Sequence, residues 1–263
     1  MIPTSRRLFL AGAFALACAV PSAGQADGVL RVGTVVNNEP WEFTDPQGRL
    51  AGFDIDLMME IGRRLGMKVE FDIMPFRDLF GALERGQIEA AICSITVTPE
   101  RASRFDFSQP FYRTSQGVVV MRSSGIRSLR DLKGRSIGVE PGTTNEEWVK
   151  ANARTFGFGA ISYSTGVNEG LRQLQAGEIA AYFGDLPVLI YQLLTRRDLA
   201  VIERLPTHDL YAVMLPKGSP LTEKIDLAIA ALKKDGRLAE IHRKWFGQSP
   251  EPGSPSAVPM RRP

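Results

Sequence analysis

Short apolar runs alternate with amphipathic stretches along almost the whole chain. Residues 30–36 and 68–73 read as strands. Between them Ile55, Met58, Met59, Gly62 and Leu65 recur at helical spacing, and Gly66 supplies a stop. A helix over 79–84 follows, with Phe76 in the loop before it. Residues 90–97 form a short apolar run bounded by turn signals, which favours a buried strand. Further strands are predicted at 117–121, 135–139, 160–163 and 179–183, and helices at 168–175 and 185–194. The strand 211–215 has a register suited to return to the first group of strands. Helices at 220–233 and 236–245 close the body. Alternating strands and helices indicate an α/β class with mainly parallel sheets.

The pattern repeats itself once. Leu83-Glu84-Arg85-Gly86-Gln87-Ile88-Glu89-Ala90-Ala91 is echoed by Leu174-Gln175-Ala176-Gly177-Glu178-Ile179-Ala180-Ala181, each a helix, a glycine stop and a buried strand. In this register Ser94 coincides with Asp185. Two similar units, each ending a strand in a polar residue, suggest two lobes facing a common cleft. Lobe one takes 27–112 and 209–247, and lobe two takes 113–208. The chain crosses near 111–115 and again near 204–210, and these crossings would form the hinge.

Candidate chemistry gathers where strands run into helix starts. Thr98 is a plausible N-cap, and Pro99 fits the first helical position, whose N–H has no partner within the helix. Arg101 stands in that first turn, where an acid would be the easy electrostatic choice. An arginine there suits a carboxylate held by two parallel hydrogen bonds. Helix starts also follow strands at Thr143-Thr144, where either threonine fits a capping box, and at Asp185. Taken singly, Asp185 and Thr144 read as caps, Phe76 as core and Arg101 as a solvated surface residue.

Ile95, Thr96, Thr98, Glu100 and Arg101, followed by 105–108, Pro110 and Phe111, change that weighting. This run resembles the periplasmic solute-binding proteins of family 3, the polar amino-acid receptors of ABC importers. The resemblance covers about residues 29–247. It implies a two-lobed, Venus-flytrap (type II) α/β fold with two hinge crossings, closing on an L-amino acid for delivery to an inner-membrane ABC permease. It also implies roles. The residue matching Arg101 binds the α-carboxylate. Those matching Thr96 and Thr144 add hydroxyl and backbone contacts, and Ser94 contributes its carbonyl. The match to Asp185 binds the α-ammonium, and that to Phe76 stacks on the side chain, a place Phe80 or Trp41 could also fill. Val35 and Asn38 stand where relatives carry side-chain selectors. Val35 lacks the acid typical of cationic receptors, which points to a neutral polar ligand. Glu140 weighs the other way but is expected to face solvent. A monomer without cofactor or metal is implied.

Charge and leader refine the picture. The net charge of +3 comes from the ends: the first 26 residues contribute +2 and residues 248–263 contribute +1, leaving the body neutral. No basic stripe remains for nucleic acid. Ser5-Arg6-Arg7-Leu8-Phe9-Leu10 is a twin-arginine pattern, and the apolar core at 8–20 is too short to span a bilayer. Cleavage near Ala26 would release the protein to the periplasm, by twin-arginine or ordinary export. A lipid anchor at Cys18 ranks second. Cys93 is then the sole cysteine, a buried small hydrophobe. Residues 248–263, rich in Pro, Gly and Ser, are expected to be disordered.

Enzymatic readings compete less well. Gly134-Arg135-Ser136-Ile137-Gly138 fits G-x-S-x-G, but Ser136 opens a strand instead of sitting on a strand-to-helix turn. His208, His242 and Cys93 are too scattered to form a metal cluster. A periplasmic cyclohexadienyl dehydratase resembles these receptors and would need an acid such as Glu140 or Asp185. A ligand-sensing subunit for a membrane partner is the third possibility.

Overall fold

The computed structural model describes residues 28–263; the leader, cleavage site and Cys18 anchor expected from the sequence lie outside the described residues. The chain opens with β1 (Val29–Thr34), α1 (Phe53–Leu65), β2 (Lys68–Ile73), α2 (Phe76–Glu84), β3 (Ala90–Ala91), α3 (Pro99–Arg104) and β4 (Phe105–Phe107). A second group comprises β5 (Gln116–Met121), β6 (Ile137–Val139), α4 (Thr144–Phe156), β7 (Ile161–Tyr163), α5 (Val167–Gln175), β8 (Ala181–Asp185), α6 (Leu186–Gln192) and β9 (Leu199–Leu205). The chain then returns through β10 (Met214–Pro216), α7 (Leu221–Lys234) and α8 (Arg237–Phe246).

Two five-stranded sheets result. The first runs β2-β1-β3-β10-β4, with β1, β2 and β3 parallel and β10 antiparallel to its neighbours. The second runs β7-β6-β8-β5-β9, parallel at β7-β6-β8 and antiparallel where β5 joins β8 and β9. The two crossings lie side by side: Leu210 pairs with Arg113, Tyr211 with Tyr112, and Thr114 N donates to Asp209 O. Strand β9 was not foreseen. Its sequence LAVIERL carries charges at Glu203 and Arg204, it forms a sheet edge, and its register slips between Val201 and Glu203, so the period-two signal is weak.

The sequence echo is an echo in space. An added Cβ on Gly33 of β1 would stand 2.4 Å from Ile88, and one on Gly138 of β6 would stand 2.3 Å from Ile179. Ile88 and Ile179 are matched positions of the repeat. Each presses its side chain onto a bare stretch of the neighbouring strand, so each half closes its core by the same fit.

Three local differences have physical causes. The apolar run 90–97 pairs as a regular strand only at Ala90–Ala91, because Ser94 turns into the left-handed region (φ 49). Beyond that kink the segment is held by other bonds: Val97 N donates to Leu210 O, and Ala212 N to Ile95 O. Helix α2 starts at Phe76, not Leu79, with Pro75 preceding it and Asp78 in its first turn. Trp41 is fully buried against Phe53, Tyr112 and Tyr211, so it braces the crossings and is not a cleft aromatic.

The tail differs most from expectation. Instead of being disordered, it folds back along the segment leading into the first crossing. Ser256, 3% exposed, donates to Phe111 O at 2.8 Å, and Met260 N donates to Gln109 Oε1 at 3.0 Å. The same Gln109 oxygen accepts from Lys233 Nζ at 2.7 Å, and that ammonium also donates to Pro110 O. Burial pulls the Lys233 ammonium down to about 7. Composition reports only an average tendency to disorder, whereas two specific acceptors, the Phe111 carbonyl and the Gln109 side-chain oxygen, fix this segment. Deleting residues 248–263 is expected to lower stability by about 1–3 kcal/mol in chemical denaturation, the scale of two lost hydrogen bonds plus re-exposed surface. An unchanged unfolding midpoint would contradict this docking.

Candidate functional site

A cavity of about 470 Å³ lies between the two halves. The seven residues assigned ligand contacts from the resemblance line it, Asn38, Phe76, Ser94, Thr96 and Arg101 from the first half and Thr144 and Asp185 from the second, whereas the alternative aromatics Phe80 and Trp41 do not. Val35, Glu140, Thr143 and Asn145 complete the polar and apolar wall that matters below.

Arg101 is 7% exposed. Thr98 caps α3 by accepting from Arg101 N at 3.1 Å, which sets the backbone that aims the side chain. Its Nη1 donates to Thr96 O at 2.8 Å and its Nη2 to Gly142 O at 3.1 Å. Phe76 and Phe80 flank the guanidinium at 5.4 and 5.5 Å from their ring centroids. No carboxylate of the described residues pairs with it, and burial lowers the pKa of the group. Only two of its five N–H donors are taken by carbonyls. A buried cation served only by neutral carbonyls is poised for an anion.

Asp185 stands at the N-cap position of α6, yet its side chain makes no capping bond. It turns to the cavity instead, accepting from Asn145 Nδ2 at 3.0 Å and from the Tyr211 hydroxyl. Burial raises its pKa above the ordinary carboxylate range, opposed by those two donors. Thr143, not Thr144, caps α4 by accepting from Glu146 N at 3.2 Å, which leaves the Thr144 side chain for the cavity wall. Glu146 Oε2 accepts from Gly142 N at 2.7 Å and firms the same turn.

Glu140 corrects an expectation. It lines the cavity instead of facing solvent. The Thr143 hydroxyl donates to Glu140 O at 2.7 Å, folding the segment after β6 inward. Burial, then the neighbouring Asp185 charge, pushes its carboxyl up to about 7. A signal for it existed: Glu140 directly follows a strand end, as do the other polar residues of the site. Glu42 and Asp54, beneath Asn38 and Ser94, were also missed: Asp54, in the first turn of α1, reads as a dipole partner whether or not it is buried, and Glu42 lies in the irregular segment between β1 and α1, where no period signals burial. Cys93 is buried and its thiol is pushed up by burial, in keeping with a small core hydrophobe. Ser136 lies just before β6 and away from any helix start. Among the described residues no cluster could hold a metal ion, and no helix is long and apolar enough to cross a membrane.

The two halves touch across the cavity. Arg101 reaches Gly142, Tyr211 reaches Asp185, and Gln192 Nε2 donates to Glu39 Oε2 at 2.9 Å. The raised Glu140 carboxyl is neutral below the ordinary carboxylate range in both folded and unfolded chains. As pH rises from the ordinary carboxylate range to about 7, the unfolded chain ionises this group while the cavity holds it protonated, so stability falls across that window and the loss is complete above about 7. Glu140→Gln is therefore expected to raise the unfolding temperature relative to wild type at pH values above 7 and to leave it unchanged in acid. An identical offset at all pH values would refute the inward placement.

A model of the bacterial extracellular solute-binding proteins, family 3, matches residues 30–248, so the docked tail lies beyond it. The arginine-binding extracellular protein ArtP of Bacillus subtilis is 30% identical over 240 residues, 89% of this chain and 93% of its own length. The L-cystine-binding protein TcyJ of Escherichia coli K12 is 30% identical over 226 residues, 84% and 83% of the two chains. An ancestral arginine-binding protein solved with arginine superposes with a TM-score of 0.80 at 36% identity, covering 84% of this chain and 100% of that one. An ancestral arginine-binding protein solved with glutamine superposes with a TM-score of 0.78 at 36% identity, covering 84% of this chain and 98% of that one. With its paired sheets, twofold crossing and polar cleft, the chain belongs to the bacterial extracellular solute-binding proteins, family 3.

Proposed function

We propose that the protein is an exported receptor that closes on one L-amino acid and presents it to an ABC permease in the inner membrane. The observation that carries this reading is a single cavity walled by Arg101 from one half and Asp185 from the other. Opposite charges on opposite walls fit the two ends of a zwitterion. The guanidinium takes the α-carboxylate, and the Asp185 carboxylate takes the α-ammonium. Thr96, Thr144, Ser94 and Asn38 supply shorter-range polar contacts, and Phe76 a flat apolar wall. A ligand that touches both halves favours the closed state by its differential affinity for it. Export through the residue 5–10 signal puts that event in the periplasm, with the protein acting as a monomer.

The inward Glu140 moves the ligand from a neutral polar side chain in general to one that donates hydrogen bonds. A guanidinium, ammonium or carboxamide would meet it, which agrees with relatives named for arginine and a similar structure solved with glutamine. A cationic side chain also restores the charge on Glu140 that burial opposes. The same residue keeps a dehydratase reading alive, since a carboxyl near 7 could act as a general acid. Incubation with prephenate or arogenate separates the two: a receptor yields no phenylpyruvate or phenylalanine.

A thermal-shift screen of the twenty amino acids tests the receptor directly. At a hundredfold excess over Kd the ligand adds about 2.7 kcal/mol of stability. Stabilisation by none of them would refute the proposal. Arg101→Ala is expected to keep the fold and lose roughly 2–5 kcal/mol of binding, since a carboxylate would then be desolvated without its partner. Affinity equal to wild type in that variant would overturn the assigned role.

A further inference from the structure

Under the first-half wall of the cavity, two carboxyl groups face each other with no cation beside them. Glu42 and Asp54 are both wholly buried. Glu42 Oε1 accepts from Asn38 Nδ2 at 2.6 Å, and Asp54 Oδ2 accepts from Ser94 N at 2.8 Å. The second oxygen of each, Glu42 Oε2 and Asp54 Oδ1, has no partner outside the pair. The two groups lie within hydrogen-bonding reach of one another.

Two carboxylates in one dry site repel too strongly for both to ionise. A single proton between the two remaining oxygens satisfies both. If Glu42 Oε2 carries it and donates to Asp54 Oδ1, then Oε1 stays free to accept from Asn38 and Oδ2 to accept from Ser94. Every polar atom of the pair then has a partner, which a buried polar network requires. Burial holds the Glu42 carboxyl well above its ordinary range and Asp54 at about 7, in the same direction. The other titratable groups facing the pair are Glu140 from the opposite half and the Cys93 thiol. Both could add only negative charge, so neither can stand in for the proton.

The backbone is shaped to bring the acids together. Gly52 adopts φ 140 and runs so close to Trp41 that a Cβ would stand 2.0 Å from Trp41 O. That approach lets Phe53 N donate to Pro40 O at 2.9 Å and Asp54 N to Trp41 O at 3.0 Å. Asp54 is thereby delivered beside Glu42. Above them, Asn38 Nδ2 also meets Ser94 Oγ at 3.1 Å, and both residues line the cavity. The left-handed turn at Ser94, which breaks the strand, is the turn that points its N–H down at Asp54.

We propose that Glu42 and Asp54 share one proton and act together as positioning residues, holding Asn38 and Ser94 in the places from which they meet the bound amino acid. The ligand in this statement rests on the receptor reading above; the shared proton does not. Loss of that proton in alkali would set two charges against each other and loosen the Asn38–Ser94 corner.

Glu42→Gln provides the test, because its amide puts an N–H where the proton sits and keeps an acceptor for Asn38. Glu42→Leu removes both. An infrared difference spectrum of wild type minus Glu42→Gln, without ligand and at about pH 8, is expected to contain a protonated-carboxyl carbonyl band despite the ordinary carboxylate range lying far below. Only carboxylate bands in that difference would overturn the shared proton. With L-arginine as the probe, or L-glutamine if arginine fails to bind wild type, Glu42→Gln should bind at pH 7 within about twofold of wild type, and Glu42→Leu should lose roughly tenfold or more. Wild-type affinity in Glu42→Leu, or equal losses in both variants, would overturn the positioning role. If Glu42→Leu does not fold, a comparison of Glu42→Gln with wild type decides in its place: the wild type alone should lose affinity as the pair ionises in alkali, and parallel pH profiles would overturn the proposal. A wild type that shows the band but responds to no amino acid would sink the receptor reading and the positioning role with it, leaving only the proton standing.

Discussion

A guanidinium taken out of water and given only carbonyl oxygens is the constraint on which the rest of the site turns. Arg101 is nearly sequestered, wedged between Phe76 and Phe80 and tied to Thr96 O and Gly142 O. Carbonyl dipoles offset part of the desolvation cost of a cation, but a charge partner offsets far more. The fold tolerates this arrangement because the helix cap at Thr98 and the aromatic pair fix the side chain without neutralising it. Stability is spent locally so that an incoming carboxylate finds a preorganised, desolvated donor.

The second half mirrors this arrangement with the sign reversed. Asp185 stands at the echo position of Ser94, at the end of the matching strand, and accepts only from the neutral Asn145 and Tyr211. The first half offers the Arg101 guanidinium, and the second offers the Asp185 carboxylate with Glu140 nearby. The two charges line one cavity beside the paired crossings at 112–113 and 210–211, and in the proposed closure a zwitterion would answer both at once. Trp41 and its aromatic neighbours brace those crossings, and the docked tail reaches the Gln109 side chain and the Phe111 carbonyl just before them. Structural support is thus concentrated where the halves pivot, while the cavity walls carry the unmet charge.

Much of this was legible in the sequence because it depends on local rules. Cap residues such as Thr98, the glycine stops and the repeated strand-ending pattern are written in short windows, and the family-like run around Arg101 named the site residues that the cavity gathers. What stayed hidden depends on burial and on contacts between distant residues. Glu140 looked solvent-facing because its inward turn is set by Thr143, three residues on. Glu42 and Asp54 read as ordinary acids because Gly52's close passage to Trp41, which joins them, leaves no periodic trace. The tail read as disordered because its anchors, Gln109 and Phe111, lie far away in the chain.

The most direct measurement of the Arg101 constraint is a calorimetric titration comparing a stabilising free L-amino acid with its carboxamide, which has the same side chain and α-ammonium but no carboxylate. An Arg101 that awaits an anion requires the carboxamide to bind at least about a hundredfold more weakly, the scale of a lost charge-assisted bidentate contact. Equal affinities would contradict it.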